Sequence, residues 1–281
     1  MSKIALVTGG NQGLGYAMVA RLCQDLPEGS TVYLAARDQE RGEAAVASLR
    51  EQGLQPSLAR LDVTDDASVQ ALAETLARRH GGIDIVLSNA AARIVKDRPQ
   101  AAQVRTFIDT NNHGTYRMIR AFGPLLRDGG RLLVVASAFG SLSKLDPRLH
   151  HLFDPATRSL EDIERVMDEY VELVERGEAE AHHWPAWINI PSKIAQVASM
   201  KVHARQRHDE ATQRGIVIAA LCPGLVDTDA SRPWFDDMSS AQSPADAAKN
   251  ALWICTQPAE SPRVYGELVQ HRRIIPWLDE A

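Results

Sequence analysis

The chain of 281 residues contains only three cysteines and has no long apolar run. Cys23, Cys222 and Cys255 are scattered without CxxC spacing. This is typical of reduced, buried thiols and argues against a disulfide framework or a bound metal. No apolar stretch approaches the ~20 residues that span a bilayer, and an apolar run that begins at residue 4 leaves no room for a signal peptide. We therefore expect a cytoplasmic protein without membrane contact.

Positive charge is not in excess either. The formal net charge is -5 at pH 7, whereas proteins that bind nucleic acid usually present a basic face. We therefore expect no nucleic-acid partner. The hydrophobic content of 44% and charged content of 24% are those of a globular protein, and the length is sufficient for one large α/β domain.

Glycine is concentrated in the segment Thr-Gly-Gly-Asn-Gln-Gly-Leu-Gly at 8–15, between the apolar run 4–7 and an amphipathic stretch at 16–26. A strand, a glycine turn and a helix in this order bind a pyrophosphate, because the backbone can come close and the helix directs free N–H groups at the anion. An ordinary tight turn is the alternative interpretation. The predicted dinucleotide site includes Gly9, Asn11, Gln12, Gly13, Leu14 and Gly15.

Strand-like and helix-like segments alternate along the rest of the chain. Strands are predicted at 31–36, 57–61, 83–88, 131–136 and 216–221, with a last edge strand at 267–270. This alternation predicts a doubly wound (Rossmann) parallel sheet of about seven strands, with helices on both faces. We expect a single α/β domain over residues 1–281.

The polar segment 141–184 interrupts the alternation and contains a predicted helix at 160–175. It is much longer than the ~2–6 residues of a usual connection in such folds. Because ligands bind where parallel strands end, we predict that this insertion is a lid or wall on the substrate side. A surface excursion without function is the alternative.

Polar and turn residues recur where the predicted strands end. They are Asp62, Val63, Asn89, Ala90, Ser137, Pro223, Gly224, Val226 and Thr228, with Asn111 near the start of the helix after the fourth strand. Together with the glycine turn, these residues resemble the short-chain dehydrogenase/reductase family along essentially the whole chain. The TGxxxGxG and PG patterns of that family are present, whereas its NNAG pattern is met loosely because Ser88 and Ala91 depart from it.

Four features resemble the monomeric carbonyl reductase branch of that family. They are TGGN at 8–11, an ARD-x-x-RG segment at 36–42, the long insertion and a Trp-Pro pair at 184–185. The resemblance implies a monomer that acts on a small-molecule substrate.

The end of the second strand bears on the choice of cofactor. An acid there selects NAD, whereas a small residue followed by a cation accommodates the 2′-phosphate of NADP. Ala36 is followed by Arg37, with Arg41 one helical turn later, so we favour NADP(H) over NAD(H). In the alternative interpretation the arginines are solvated, and Asp38 is an NAD-type acid or a helix cap.

The resemblance also implies a catalytic Tyr four residues before a Lys, whose charge lowers the pKa of the Tyr. Lys193 matches that Lys, but Asn189 replaces the Tyr, and no lysine in the sequence has a Tyr at that spacing. Asn189 is not an acid, but its amide N–H can polarise a carbonyl oxygen. Capping the following helix is its alternative role. By resemblance, Ser137 orients the substrate and Asn111 anchors a water chain to the lysine.

Other groups near the motif are candidates for the missing functions. Ser137, Lys193, His182 or His183 are possible proton sources, although the two histidines also suit a charged surface loop. Trp184, Trp187 and Trp234 either line an apolar pocket or belong to the core.

The function we predict is that of an NADP(H)-dependent oxidoreductase acting on a carbonyl, quinone or enone. A non-redox enzyme (cyclase, isomerase or lyase) on the same scaffold and a cofactor-sensing protein without turnover are the alternatives.

Overall fold

A computed structural model describes residues 1–256 and 264–278 of the chain. The strands are β1 (Ile4–Thr8), β2 (Thr31–Ala36), β3 (Ser57–Arg60), β4 (Ile83–Ser88), β5 (Leu126–Val135), β6 (Val217–Leu221), β7 (Leu268–Gln270) and β8 (Arg273–Ile275). The α-helices are α1 (Gly13–Asp25), α2 (Gln39–Glu51), α3 (Asp66–His80), α4 (Val104–Ile108), α5 (Gly114–Phe122), α6 (Leu160–Glu175), α7 (Asn189–Gln206), α8 (His208–Arg214) and α9 (Pro244–Ala251).

The strands form one sheet in the order β3-β2-β1-β4-β5-β6-β7-β8. Neighbouring strands from β3 to β7 are parallel, which confirms the predicted doubly wound sheet, and among the described strands only the β7–β8 pair is antiparallel. The strand order reverses between β1 and β4. In open α/β sheets the ligand crevice lies at this reversal, beyond the carboxyl ends of the strands.

The prediction that segment 267–270 forms the edge of the sheet is wrong, because β8 pairs outside it. The turn between β7 and β8 consists of His271 and Arg272, both with positive φ (47° and 65°). Hairpin turns of this kind are usually signalled by Asn-Gly or Asp-Gly. The sequence lacks that signal here, and β8 has only three residues, so the strand was not predicted.

The sheet is buried on both faces. Every residue of β1, β4 and β6 is buried, as expected for parallel strands covered by helices on each side. One face packs against α1, α2 and α9, and the other against α3, α4, α5 and α7. Among the described residues no helix is both long and apolar enough to cross a lipid bilayer.

The insertion 141–184 contains α6, whose bounds match the predicted helix at 160–175. A capping box between Ser159 and Asp162 starts this helix. Its apolar face, including Ile163, Met167 and Tyr170, is buried against α4 and α7. The helix is therefore an outer layer of the core, and a lid function for the insertion stays a prediction.

Candidate active site

The glycine turn after β1 has a backbone that only glycine tolerates at several positions. Gly9 and Gly13 have φ of +64° and +54°, and a Cβ at Gly15 would collide with the Gly9 carbonyl oxygen. Helix α1 then begins at Gly13 behind Gln12, whose side chain makes no capping hydrogen bond, and the first turn holds no acidic residue. The free N–H groups of α1 thus point at the turn, which suits a pyrophosphate.

The turn is tied to the end of β4 by two side chains. Thr8 Oγ1 accepts hydrogen bonds from the backbone N–H groups of Asn89 and Ala90, both at 2.8 Å. Asn89 Nδ2 donates in return to the Thr8 carbonyl oxygen at 2.9 Å and to that of Gly9 at 3.4 Å. These bonds hold the turn beside β4 and bring Gly9, Asn89 and Ala90 together.

The loop after β6 approaches the turn from the other side. Thr228 Cγ2 lies 3.5 Å from the place where a Cβ on Gly13 would be. Gly224 has a φ of +77°, and Gln242 Nε2 donates to the Pro223 carbonyl oxygen at 3.0 Å. Val226 forms an isolated bridge with Gln242. Of the residues predicted after β6, Thr228 therefore meets the glycine turn, whereas Pro223, Gly224 and Val226 pack against Gln242.

An open cleft of about 540 Å³ lies beyond the ends of β2 and β3, and Arg37, Arg60 and Asp62 line it. Arg60 is aligned with Ala36 across the β2–β3 pair, which brings it close to Arg37. Neither guanidinium makes an ion pair or hydrogen bond within residues 1–256 and 264–278. The cleft therefore has two cations available for an anion.

The acid after Arg37 is already engaged. Asp38 caps α2 by accepting a hydrogen bond from the Arg41 N–H at 3.0 Å. The exposed Arg41 Nε lies 3.8 Å from Asp38 Oδ2, a contact that contributes little energy in water. The helix-cap alternative for Asp38 is confirmed, while a role of Arg41 in cofactor binding stays a prediction.

Asp62 and Val63 follow β3, and some of their hydrogen-bond acceptors already have partners within the protein. Asp62 Oδ1 accepts hydrogen bonds from the backbone N–H and the hydroxyl of Thr64, at 3.0 and 2.7 Å. Val63 has a buried side chain, and its carbonyl oxygen accepts a hydrogen bond from Arg117 at 3.2 Å. Asp62 lines the cleft, so its second carboxylate oxygen is available to a ligand there, whereas a role of Val63 in cofactor binding stays a prediction.

The turn that follows Ser137 packs directly on the part of α7 that carries Lys193. Ser137 Oγ accepts a hydrogen bond from the Phe139 N–H at 3.3 Å at the start of the turn Ala138–Gly140. This turn packs so closely on α7 that a Cβ on Gly140 would lie 2.6 Å from Val197 and 3.0 Å from the Lys193 carbonyl oxygen. The glycine is required for this close approach.

Asn189 is the first residue of α7 and lies one helical turn before Lys193, so both project from the same face. The cap position belongs to Ile188, and no side-chain cap is formed. The alternative that Asn189 caps the helix is therefore wrong. Its half-buried side chain makes no hydrogen bond with the described part of the chain.

The Lys193 ammonium has an unusual environment. Burial lowers its pKa from 10.5 to about 8, and Cys222 offsets only part of this effect. Lys193 Nζ donates to Gln196 Oε1 at 2.7 Å, and Gln196 Nε2 donates to the Asn111 carbonyl oxygen at 2.9 Å. Asn111 lies in a π-helical turn, Asp109–His113, between α4 and α5. The predicted residues Asn111 and Lys193 are thus joined through Gln196.

Sequence reasoning missed Gln196 and Arg60. Gln196 follows Lys193 by three residues, so the two lie on the same face of a helix, a signal that was present in the sequence. Arg60 becomes a neighbour of Arg37 only through the pairing of β2 with β3.

Two of the predicted tryptophans form an aromatic wall with Phe139. The Trp187 ring lies 5.2 Å from that of Phe139 and 5.6 Å from that of Trp234, measured between centroids. Trp187 Nε1 is buried and has no hydrogen-bond partner in the part of the chain that the structure describes. Trp184 instead packs in the core against Phe153 and Tyr170.

His182 and His183 are both exposed on the loop before the aromatic wall. Across residues 1–256 and 264–278, no group of three His, Cys, Asp or Glu side chains is arranged to hold a metal ion.

Comparisons with known proteins agree with this geometry. The sequence model of the short chain dehydrogenase family matches residues 3–145. Carbonyl reductase [NADPH] 1 of Homo sapiens is 32% identical over 278 residues, covering 98% of each chain, and that of Bos taurus is 31% identical with the same coverage.

Solved structures match in fold. Salutaridine reductase from Papaver somniferum has a TM-score of 0.81 at 21% identity, over 95% of this chain and 99% of that one. Menthone neomenthol reductase from Mentha piperita has a TM-score of 0.76 at 23% identity, over 97% and 100%. The chain thus belongs to the short-chain dehydrogenase/reductase family and is similar to its carbonyl reductases.

Proposed function

We propose that the protein is an NADP(H)-dependent oxidoreductase that reduces a carbonyl, quinone or enone of a small molecule. One observation carries the proposal. A glycine turn with free helix N–H groups and two available guanidiniums share the carboxyl edge of the sheet with Ser137 and Lys193.

The cofactor fits the residues at this edge, and when bound it supplies a hydride. The turn and α1 hold the pyrophosphate, while Arg37 and Arg60 hold the 2′-phosphate that distinguishes NADP from NAD. Lys193 holds the nicotinamide ribose. The relatives described above are named for NADPH, which supports the same preference here. The further residues that we assign to the cofactor site are Gly9, Asn11, Gln12, Gly13, Leu14, Gly15, Arg41, Asp62, Val63, Asn89, Ala90, Pro223, Gly224, Val226 and Thr228.

Ser137 and Asn189 hold the oxygen of the acceptor in this proposal. The Ser137 hydroxyl accepts from Phe139 N–H and keeps its own proton free to donate. The Asn189 amide, whose side chain is not engaged in the described ranges, adds a second N–H. Two donors aimed at one oxygen stabilise the negative charge that develops there.

The missing acid decides which acceptors suit the site. General acid catalysis contributes about 10²–10⁴-fold, and an aliphatic alkoxide needs it because its conjugate acid has a pKa near that of water, about 16. A quinone gives a phenolate whose conjugate acid has a pKa of about 10, like that of Tyr. The difference of about 6 units corresponds to ~8 kcal/mol, more than the acid would contribute. A quinone or conjugated enone is therefore the favoured acceptor.

The aromatic wall supports the same class of acceptor. Phe139 follows Ser137 by two residues and Trp187 precedes Asn189 by two, so the wall is built from the same two segments that carry these groups. Aromatic rings stack on flat conjugated molecules. The unpartnered Trp187 N–H gains from an acceptor on such a molecule, because a buried donor without a partner is costly.

We also propose that the protein acts as a monomer. Helix α6 covers α7 with a buried apolar face. That cover leaves less of the α7 surface for a second copy of the chain.

The test is a panel of acceptors assayed with NADPH and NADH by the loss of nicotinamide absorbance. The panel holds a para-quinone, an ortho-quinone, a conjugated enone, an aliphatic ketone and an aldehyde. Cofactor binding is measured in the same samples by nicotinamide fluorescence. Asn189→Tyr and Ser137→Ala are assayed in parallel, and Lys144→Met, an exposed lysine, is the matched surface control.

We expect NADPH-dependent turnover of quinones or enones, a loss of about tenfold or more in Ser137→Ala, and a gain on ketones in Asn189→Tyr. Binding of NADPH without turnover of any acceptor by any of the four proteins would contradict the redox proposal and favour a non-redox or sensing role. Failure to bind NADPH would contradict the cofactor assignment as well.

A further inference from the structure

Gln196 occupies a buried position at the centre of the site. It is 2% exposed and makes three side-chain hydrogen bonds. Its Oε1 accepts from Lys193 Nζ at 2.7 Å, and its Nε2 donates to the Asn111 carbonyl oxygen at 2.9 Å and to Thr115 Oγ1 at 3.0 Å. The carboxamide therefore bridges the lysine to the π-helical turn.

The orientation of this carboxamide is dictated by its partners. An ammonium group only donates and a carbonyl oxygen only accepts. A flipped amide would set its NH₂ against the Lys193 ammonium and its oxygen against the Asn111 carbonyl, and both contacts would be repulsive. Only the observed orientation satisfies all three bonds.

The bridge also saturates the Asn111 carbonyl. That oxygen accepts a second hydrogen bond from Thr115 Oγ1 at 2.7 Å, so both of its lone pairs are engaged. The Asn111 side-chain oxygen is committed too, because the Ala92 N–H donates to it at 2.7 Å. Asn111 is 1% exposed and Thr115 2% exposed. A water anchored at this carbonyl would have to displace Gln196 or Thr115.

We propose that Gln196 is a positioning residue that ties the Lys193 ammonium to the Asn111 carbonyl through its carboxamide and closes the route over that carbonyl by which solvent protons would reach the lysine. A hydroxyl or water passes a proton on by accepting one and donating another, whereas a carboxamide nitrogen has no lone pair available to accept one. The bridge therefore has the hydrogen bonds of a proton-conducting chain but does not pass protons along it.

This assignment links Gln196 to the replacement of the tyrosine of the family motif by Asn189. Asn189 removes the acid, and Gln196 removes the route that would refill it. Restoring only the acid with Asn189→Tyr would leave a phenol that gives up its proton once and regains it slowly. The catalytic part of this inference rests on the proposed function, whereas the closed path is a property of the protein without substrate.

The direct test measures how fast the Lys193 ammonium exchanges protons with water, by NMR of protein labelled with ¹⁵N-lysine. Lys193→Met identifies the signal, and the exposed Lys144 is an internal reference. We expect slow exchange at Lys193 in the wild type and an increase of about tenfold or more in Gln196→Val. Gln103→Val is the matched control, because Gln103 is also buried and its side-chain hydrogen bonds all go to residues 95–99. It should leave the Lys193 exchange rate unchanged.

The catalytic test compares ketone reduction in Asn189→Tyr with that in Asn189→Tyr/Gln196→Val. We expect the double variant to be faster by about tenfold, while Gln196→Val alone gains much less. Circular dichroism and melting temperatures establish that each variant is folded. A Lys193 exchange rate that Gln196→Val leaves unchanged, or that Gln103→Val raises equally, overturns the closed path. Fast exchange in Gln196→Val without turnover of any acceptor by any variant supports the closed path and counts against the proposed function only.

Discussion

The Thr8 hydroxyl is the group whose removal we expect to be most informative about how the cofactor turn is held. Thr8 is 1% exposed, and its Oγ1 accepts from two backbone N–H groups, those of Asn89 and Ala90. Thr8→Val preserves the shape and the β-branching of the side chain. It leaves both N–H groups without that acceptor.

The magnitude follows from these two bonds. A buried donor left without a partner costs about 1–3 kcal/mol, and Asn89 and Ala90 are only half-buried, so water recovers part of that cost. We expect Thr8→Val to lower the free energy of unfolding by about 3 kcal/mol. A chain of this size would lose about 6 °C in melting temperature, at ~2 °C per kcal/mol.

The assay is urea denaturation followed by circular dichroism, with Thr8→Ser as the matched control. Serine keeps the hydroxyl and loses one methyl group, so it should cost only about 1 kcal/mol. A Thr8→Val variant within ~1 kcal/mol of the wild type would refute the reasoning, and so would a Thr8→Ser variant as unstable as Thr8→Val.

Three further outcomes are expected. Desolvation lowers the pKa of the buried His203 from 6.5 to about 4. Below pH 6.5 the unfolded chain therefore binds a proton at this residue that the folded chain does not bind. The free energy of unfolding falls by about 3 kcal/mol as the pH drops to 4. His203→Leu should flatten the dependence of the unfolding free energy on pH between 7 and 4, and an unchanged slope would count against this role. Burial opposes the charge on His113, but contacts with Glu164 and Asp168 at 3.2 and 3.0 Å outweigh it and raise its pKa. The charged His113 therefore stabilises the folded protein fully below pH 6.5, and this stabilisation is lost as the pH rises through the raised pKa of His113. His113→Gln should lower the free energy of unfolding by about 1–2 kcal/mol at pH 6 and by less at pH 9. Equal losses in urea titrations at both pH values would contradict this role of His113. Replacing the two arginines of the cleft at the ends of β2 and β3 by alanine should raise the Kd of NADPH about 10–100-fold and leave that of NADH nearly unchanged, and equal weakening of the two cofactors would exclude a 2′-phosphate site.

The sequence predicted the sheet well because buried parallel strands are continuous apolar runs. The run at 83–88 became β4 with the same bounds, and the helix at 160–175 was visible from its apolar spacing and the serine before it. Strand β8 has no long apolar run. The turn before it, made by His271 and Arg272, consists of residues that seldom adopt positive φ, so the sequence gives no turn signal either.

The residues of the site could be predicted from the sequence better than the contacts between them. Asn189 and Lys193 follow from the resemblance to the family's motif, but the true cap, Ile188, depends on where the incoming loop bends. The bridge from Lys193 to Asn111 joins positions that lie far apart in the sequence, and the contact of Trp187 with Trp234 depends on two loops that meet only in the folded chain. No local pattern encodes such contacts.

The aromatic wall gives the protein an optical property of its own. Trp187 and Trp234 belong to separate loops, and their rings lie 5.6 Å apart, close enough for each indole to alter the emission of the other. A flat ligand entering between them would separate the rings, and the reduced nicotinamide absorbs where tryptophan emits. Arrival of the cofactor and of the acceptor should thus change the intrinsic fluorescence in distinguishable ways, so that the order of binding can be followed without an attached label.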